Sequence, residues 1–152
     1  MNTQDIKQKL LDKCKQYTDQ RLQRIQAIIT DIQESLTSET KSTAGDKHET
    51  GRAMLQLERE KAGAQLAEVQ KLQEILHKID VSLLSDRVHL GSLVETSNGY
   101  YFISISVGKI TIDNQSYFAI AVNSPLGRLL LGKTVGDHFN FNGEKFTIIK
   151  TF

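Results

Sequence analysis

Two carboxylates three residues apart, Asp46 and Glu49, lie in the stretch Gly45-Asp46-Lys47-His48-Glu49. At the start of a helix that spacing lets them share one face. Carboxylates are hard oxygen donors, and Mg²⁺ is often held by only one or two of them. The same pattern also makes a capping box, in which an N-cap Asp and a Glu three residues later satisfy backbone N–H groups without any metal. The two uses are compatible, since an N-cap Asp keeps an oxygen free. His48, between the acids, adds one nitrogen to a thin donor set and reads as an exposed residue rather than a transition-metal ligand. The chain contains no phosphate-binding Gly loop, no nucleophile elbow and no Cys/His cluster. Cys14 is its only cysteine, so no intramolecular disulfide framework exists, and it reads as a small apolar residue. No self-sufficient active site is legible, and the chain does not read as an enzyme.

The elements that would carry the acid pair follow from composition. Across 152 residues the charge is nearly balanced, 19 basic against 18 acidic, which excludes a strongly basic nucleic-acid binder. The first thirty residues hold neither a signal-peptide core nor a membrane span, so an intracellular, cytoplasmic protein is expected. A break falls near residue 80. Residues 1–80 carry 13 basic and 13 acidic side chains, whereas nine of the ten aromatics, seven of the ten Gly and Pro125 lie beyond it. Two units are therefore expected, 1–80 and 81–152.

The first unit reads as two helices. Residues 4–36 lack Gly and Pro, and Ile6, Leu10, Cys14, Tyr17, Ile25, Ile28, Ile32 and Leu36 recur at helical spacing. Thr37–Gly45 interrupts the pattern, and 47–79 resumes it with Leu55, Ala62, Leu66, Val69, Leu76 and Ile79. Each stretch would span about 50 Å. One apolar stripe per helix and a short connection predict an antiparallel, coiled-coil-like hairpin with its tip at about 37–50 and a monomeric state. Its base carries Lys7, Lys9, Lys13, Lys15, Arg21 and Arg24 against Asp5, Asp12 and Asp19. Such a flank suits RNA phosphate or an acidic protein surface, with Lys13, Arg21 and Arg24 as candidate contacts. It reads equally as a solvated face, diluted by acids.

The second unit reads as antiparallel strands, making the whole chain α+β. Expected strands are Val88–Thr96, Tyr100–Val107, Lys109–Asp113, Ser116–Val122, Phe139–Phe141 and Lys145–Phe152, with turns at Asn98-Gly99, Asn114-Gln115 and Asn142-Gly143. One short helix is predicted over Ser124–Leu131, capped by Ser124, opened by Pro125 and ended by Gly132, with Leu126 and Leu129 in the core.

The segment Ser124-Pro125-Leu126-Gly127-Arg128-Leu129-Leu130-Leu131-Gly132-Lys133-Thr134-Val135-Gly136-Asp137 resembles the C-terminal signature of the Gre transcript-cleavage factors, bacterial transcription elongation proteins. Gly45-Asp46-Lys47-His48-Glu49 resembles their acidic tip. The resemblance implies an FKBP-like second unit and a hairpin that enters the secondary channel of RNA polymerase. Asp46 and Glu49 would there help hold a second Mg²⁺ supplied in the polymerase active site, near the 3′ end of the nascent RNA. No cofactor is tightly bound in this picture. The strand-to-helix corner, Asn123, Ser124 and Pro125, would lie near the polymerase contact.

Departures from the family pattern matter at the tip. Thr50, Gly51 and Arg52 follow Glu49 where the family has Asn and then an acidic-aromatic pair. Gly51 costs about 1 kcal/mol of helix propensity relative to Ala. Arg52 could pair with Asp46 or Glu49 and hold them from Mg²⁺. A channel-binding regulator without cleavage activity is therefore the alternative expectation. More remote alternatives are an FKBP-type prolyl isomerase, which needs an aromatic-walled pocket, and a coiled-coil adaptor.

Overall fold

The computed structural model of the chain describes residues 2–41 and 45–152, and the side chains of these except 39–41 and 45–49. Helix α1 spans Thr3–Lys41 and α2 spans Gly45–His77. Strands follow at β1 (Leu93–Thr96), β2 (Gly99–Ser104), β3 (Gly108–Ile112) and β4 (Gln115–Ala121). Helix α3 (Pro125–Leu130), β5 (His138–Phe141) and β6 (Glu144–Thr151) complete the chain. The predicted α+β class, a long helical hairpin followed by a small sheet and one short helix, is the observed one.

Packing divides the molecule into Thr18–Gln73 and a second unit of Met1–Tyr17 with Glu74–Phe152. The compositional break near residue 80 and this division differ for a physical reason. Leu10, Leu11 and Cys14 on α1, Leu76 on α2 and Ile79 just beyond it are buried with the sheet unit rather than along the hairpin.

In the helical unit, Thr18, Ile25 and Ile32 are buried at seven-residue intervals on α1, as are Ala62 and Val69 on α2. A seven-residue repeat keeps two helices in register along one seam, the signature of a coiled coil. Ile28, expected on the stripe, is instead 47% exposed. The α1 seam follows steps of seven and four, through half-buried Leu22, Ile29 and Leu36, and this leaves the i+3 position on the flank. Gln73 Nε2 donates across the hairpin to Asp19 Oδ1 at 3.4 Å. Helix α1 also runs further than its apolar pattern implies. The Thr37 hydroxyl donates to the Gln33 carbonyl at 3.0 Å, an i−4 bond compatible with continued helix, so the expected loop at 37–41 is helical.

In the sheet unit the strand order is β3-β4-β2-β1-β6-β5. Four strand pairings are antiparallel, and the fifth, β2 with β4, is parallel. That parallel pair corrects the all-antiparallel expectation. The chain leaves β2 and lays β3 one slot away, and β4 returns through the turn at Asp113-Asn114 to fill the gap between them. Val107 N–H bonds to Ala119 O at 3.3 Å and ties the connection to β4. Asp113 and Asn114 both have positive φ, as do Asn142 and Gly143, the geometry of a type I′ hairpin turn.

The expected strand Val88–Thr96 is shortened to Leu93–Thr96 because Gly91 turns the chain at φ +92°. A side chain at Gly91 would also meet Ile79 Cγ2 at 2.9 Å. Val88, Val94, Ile103, Leu130 and Ile148 form the core, with Tyr101, Ile120, Val122, Leu126 and Phe139 against it. Helix α3 presents Leu126 and Leu130 to this core, an i, i+4 pair. The expected Leu129 lies 37% exposed on the other side.

Candidate functional site

The strand-to-helix corner after β4 is where sequence pattern and geometry meet most closely. Ser124 sits at φ −69°, ψ 160° and caps α3. Its hydroxyl donates to Ala121 O at 2.7 Å and accepts from Gly127 N–H at 3.1 Å. Pro125 occupies the first helical position, where a missing N–H costs nothing. Gly127 is buried so closely under the preceding strand that a Cβ would fall 2.1 Å from Ala121 O and 2.8 Å from Val122 O. In sequence Gly127 is legible only as part of a motif. A glycine inside a six-residue helix, where propensity disfavours it, is the available signal of close backbone approach.

The rest of the motif is a network of backbone bonds. Gly132, at φ +81°, ends the helix and its N–H bonds to Val88 O at 2.8 Å, while Val88 N–H returns to Lys133 O at 2.9 Å. Asp137 accepts from the Thr134 N–H at 2.8 Å and from the Thr134 hydroxyl at 3.3 Å. The Thr134 N–H is the chief reason the Asp137 carboxyl titrates below its ordinary range. Gly136, at φ +92°, bonds to Ile148 O, and Ile148 N–H bonds back to Asp137 O, both at 2.9 Å. Ser124 is therefore structural, whereas Asn123 and Pro125 are exposed. The same segment exposes Leu129, Leu131 (45%) and Val135 (57%), apolar side chains with no assigned role in the core.

The basic flank is smaller than the sequence suggests. Lys13 and Arg24 are exposed, and Arg21 is half-buried and engaged within the fold. Lys9 and Lys13 line a groove of about 480 Å³ with Asp12, Gln16, Thr111 and Ile112 of β3 and Asp113 of the turn that follows. Lys7, expected on the flank, is 0% exposed. Its ammonium donates to Phe152 O at 3.1 Å and Leu83 O at 3.4 Å. Burial lowers its pKa, and the charge of Asp80 partly offsets this. Helical spacing puts Lys7 on the face of Leu10, Leu11 and Cys14, and only its charge argues against burial there.

Asp46 and Glu49 are the second and fifth residues of α2 by its bounds, but their side chains, like that of His48, lie outside the described residues. Arg52, expected to modulate the tip, is half-buried and engaged. Among the described residues no group of three or more His, Cys, Asp or Glu is placed to hold a metal ion. No described helix is long and apolar enough to cross a membrane. The aromatic rings pack on one another, with Phe139 and Phe146 stacked at 5.3 Å and Tyr101 at 6.0 Å from Phe146 and 5.8 Å from Phe118.

No protein-family model matches the chain, and no curated protein matches it. Among solved structures, the chain is similar to that of the transcription factor Gfh1, at 18% identity and a TM-score of 0.34, covering 93% of this chain and 92% of that one. A likeness of that size is too slight to bear on function.

Proposed function

We propose that the protein is a transcription elongation factor that binds RNA polymerase through its secondary channel and stimulates hydrolysis of backtracked transcripts. The observation that carries the reading is the Ser124–Asp137 segment. The residues that resemble the Gre signature are the ones that cap α3, pass under β4 at Gly127 and bond to Val88 and Ile148. That interdependence makes the resemblance one of structure-forming residues rather than of scattered identities. The hairpin adds reach: 39 residues in α1 and 33 in α2 correspond to about 58 and 50 Å of helix.

In this reading Asn123 and Pro125, exposed beside the capped corner, contact the polymerase, and Lys13 and Arg24 face RNA or an acidic polymerase surface. Asp46 and Glu49 are the donors for a metal held mainly by the polymerase, and two carboxylates are a donor set suited to Mg²⁺. When bound, that metal activates water and steadies the leaving oxygen of the scissile phosphodiester. The catalytic centre belongs to the polymerase, and this protein completes it.

A second reading, occupancy of the channel without cleavage, is favoured by one feature. Arg52, three residues beyond Glu49, is a half-buried cation engaged within the fold. The deciding experiment uses stalled, backtracked elongation complexes with polymerase from the same organism. Under the first reading the parent protein shortens labelled RNA and the Asp46→Ala/Glu49→Ala variant does not. Under the second, neither shortens it, yet the parent competes for the channel. Absence of both activities rejects polymerase binding altogether.

A further inference from the structure

Strand β3 forms one edge of the six-stranded sheet. The groove of about 480 Å³ walled by Lys9, Lys13 and Gln16 of α1 opens beside its last residues, Thr111 and Ile112. The register fixes which backbone groups on that edge are spare. Ile112 and Gln115 flank the two-residue turn Asp113-Asn114, and residues flanking such a turn exchange both backbone hydrogen bonds. Antiparallel bonding alternates, so Ile110 also bonds to β4, while the N–H and C=O of Lys109 and Thr111 point away from it. Among the described residues nothing bonds to those groups. A short row of unpaired donors and acceptors is a template for one more strand.

Charge decides what kind of strand fits. Ile110 and Ile112 are buried on the face of the sheet that carries Ser104, which α1 meets through Cys14. Lys9 and Lys13, an i, i+4 pair on α1, stand exposed on that side of the groove, and Lys109 is exposed on the opposite face of β3. None of these three lysines has a partner among the described residues. Two carboxylates share the groove: Asp12 accepts the Gln8 amide at 2.8 Å, and Asp113 lies in the turn at one end. A strand beside β3 alternates its side chains between the two faces, so acids on either face meet a lysine. A second copy fits poorly. Antiparallel pairing of two β3 edges about Ile110 would gather Lys9 and Lys13 of both copies on one face of the joined sheet.

We infer that the β3 edge binds an extended acidic peptide segment of a partner protein, its backbone paired with Lys109 and Thr111 and its carboxylates facing Lys9 and Lys13. The probe is the acetylated, amidated peptide TEVEVT, titrated into the isotope-labelled full chain at constant ionic strength and followed by amide NMR. TKVKVT reverses its charge, and TEPEPT keeps the charge but cannot continue a strand ladder. No polymerase is present, so the outcome does not depend on the proposed function.

Saturable shifts are expected at Lys109, Ile110 and Thr111, together with slower hydrogen exchange of the Lys109 and Thr111 amides. TKVKVT and TEPEPT should each bind several-fold more weakly. Lys9→Gln/Lys13→Gln should weaken TEVEVT about three-fold or more, the scale of exposed ion pairs. Both lysines are exposed, so the rest of the amide spectrum should stay unchanged and report an intact fold. Absence of saturable shifts overturns the inference. So does binding of TKVKVT or TEPEPT equal to that of TEVEVT, or equal binding of TEVEVT by the parent and the double variant. Shifts of the same amides with protein concentration alone would overturn it too, by making a second copy the occupant.

Discussion

The backbone carbonyl of Ala121 stands where a side chain on Gly127 would begin: a Cβ built there lies 2.1 Å from that oxygen. Helix propensity alone predicts that Gly127→Ala stabilises α3 by about 1 kcal/mol. The contact predicts the opposite, because the obstructing atom belongs to the β4 backbone and cannot swing aside. Overpacking of this kind costs about 1–3 kcal/mol, occasionally more, so the steric effect wins. Urea denaturation of Gly127→Ala should show a lowered midpoint at an unchanged slope. A raised midpoint would show that the close approach does not govern this position.

The corner also separates structure from recognition. Ser124→Ala removes both hydroxyl bonds and should destabilise the fold by about 1 kcal/mol. Asn123→Ala, at an exposed position, should change stability by less than about 0.5 kcal/mol. Under the proposed function the second variant nevertheless binds polymerase more weakly, which a competition assay with purified polymerase would measure. Undiminished binding by Asn123→Ala would exclude that side chain from the contact.

Lys7 makes stability depend on pH in a definite direction. Its pKa is lowered from 10.5 in the folded protein, so between that lowered value and 10.5 the unfolded chain binds more protons than the folded one. Stability contributed by this group therefore rises with pH across that window. In Lys7→Met the contribution is gone. The stability of the parent relative to Lys7→Met should increase as pH is raised towards 10.5, with other titrations cancelling in the difference. Paired denaturation curves at pH 7 and at about pH 10 would test it, and a difference that stays constant or falls would contradict the buried ammonium.

Cys14 is fully buried, and burial pushes its thiol up to about 11, against a smaller opposing effect of the Ser104 hydroxyl 3.7 Å away. Thiolate is the reactive form, so folded protein at about pH 8 should resist iodoacetamide. Labelling should follow the opening of the sheet unit and become fast in denaturant. Rapid labelling of native protein, detected by mass spectrometry, would show the site to be accessible.

Much of the architecture is legible residue by residue. Ser124, Pro125 and Gly132 mark the limits of α3, and Asn142-Gly143 marks the last hairpin, because each is a local conformational requirement met by one or two residues. Gly91 shows how far such signals go. It interrupts a β-branched run whose pattern predicts continued strand, and the positive φ and the nearness of Ile79 cut the strand short.

Sequence by itself thus determined the helical hairpin, the short capped helix and two of the tight turns to within a residue. These depend on interactions among residues within a turn or two of one another. Tertiary structure alone decided that Lys7 is buried on carbonyls 76 and 145 residues away, that Cys14 meets Ser104, and that β4 lies parallel to β2. Those outcomes arise because burial and strand neighbours are chosen by which surfaces of distant segments meet. A helical lysine looks the same in sequence whether its ammonium faces water or a pair of backbone oxygens.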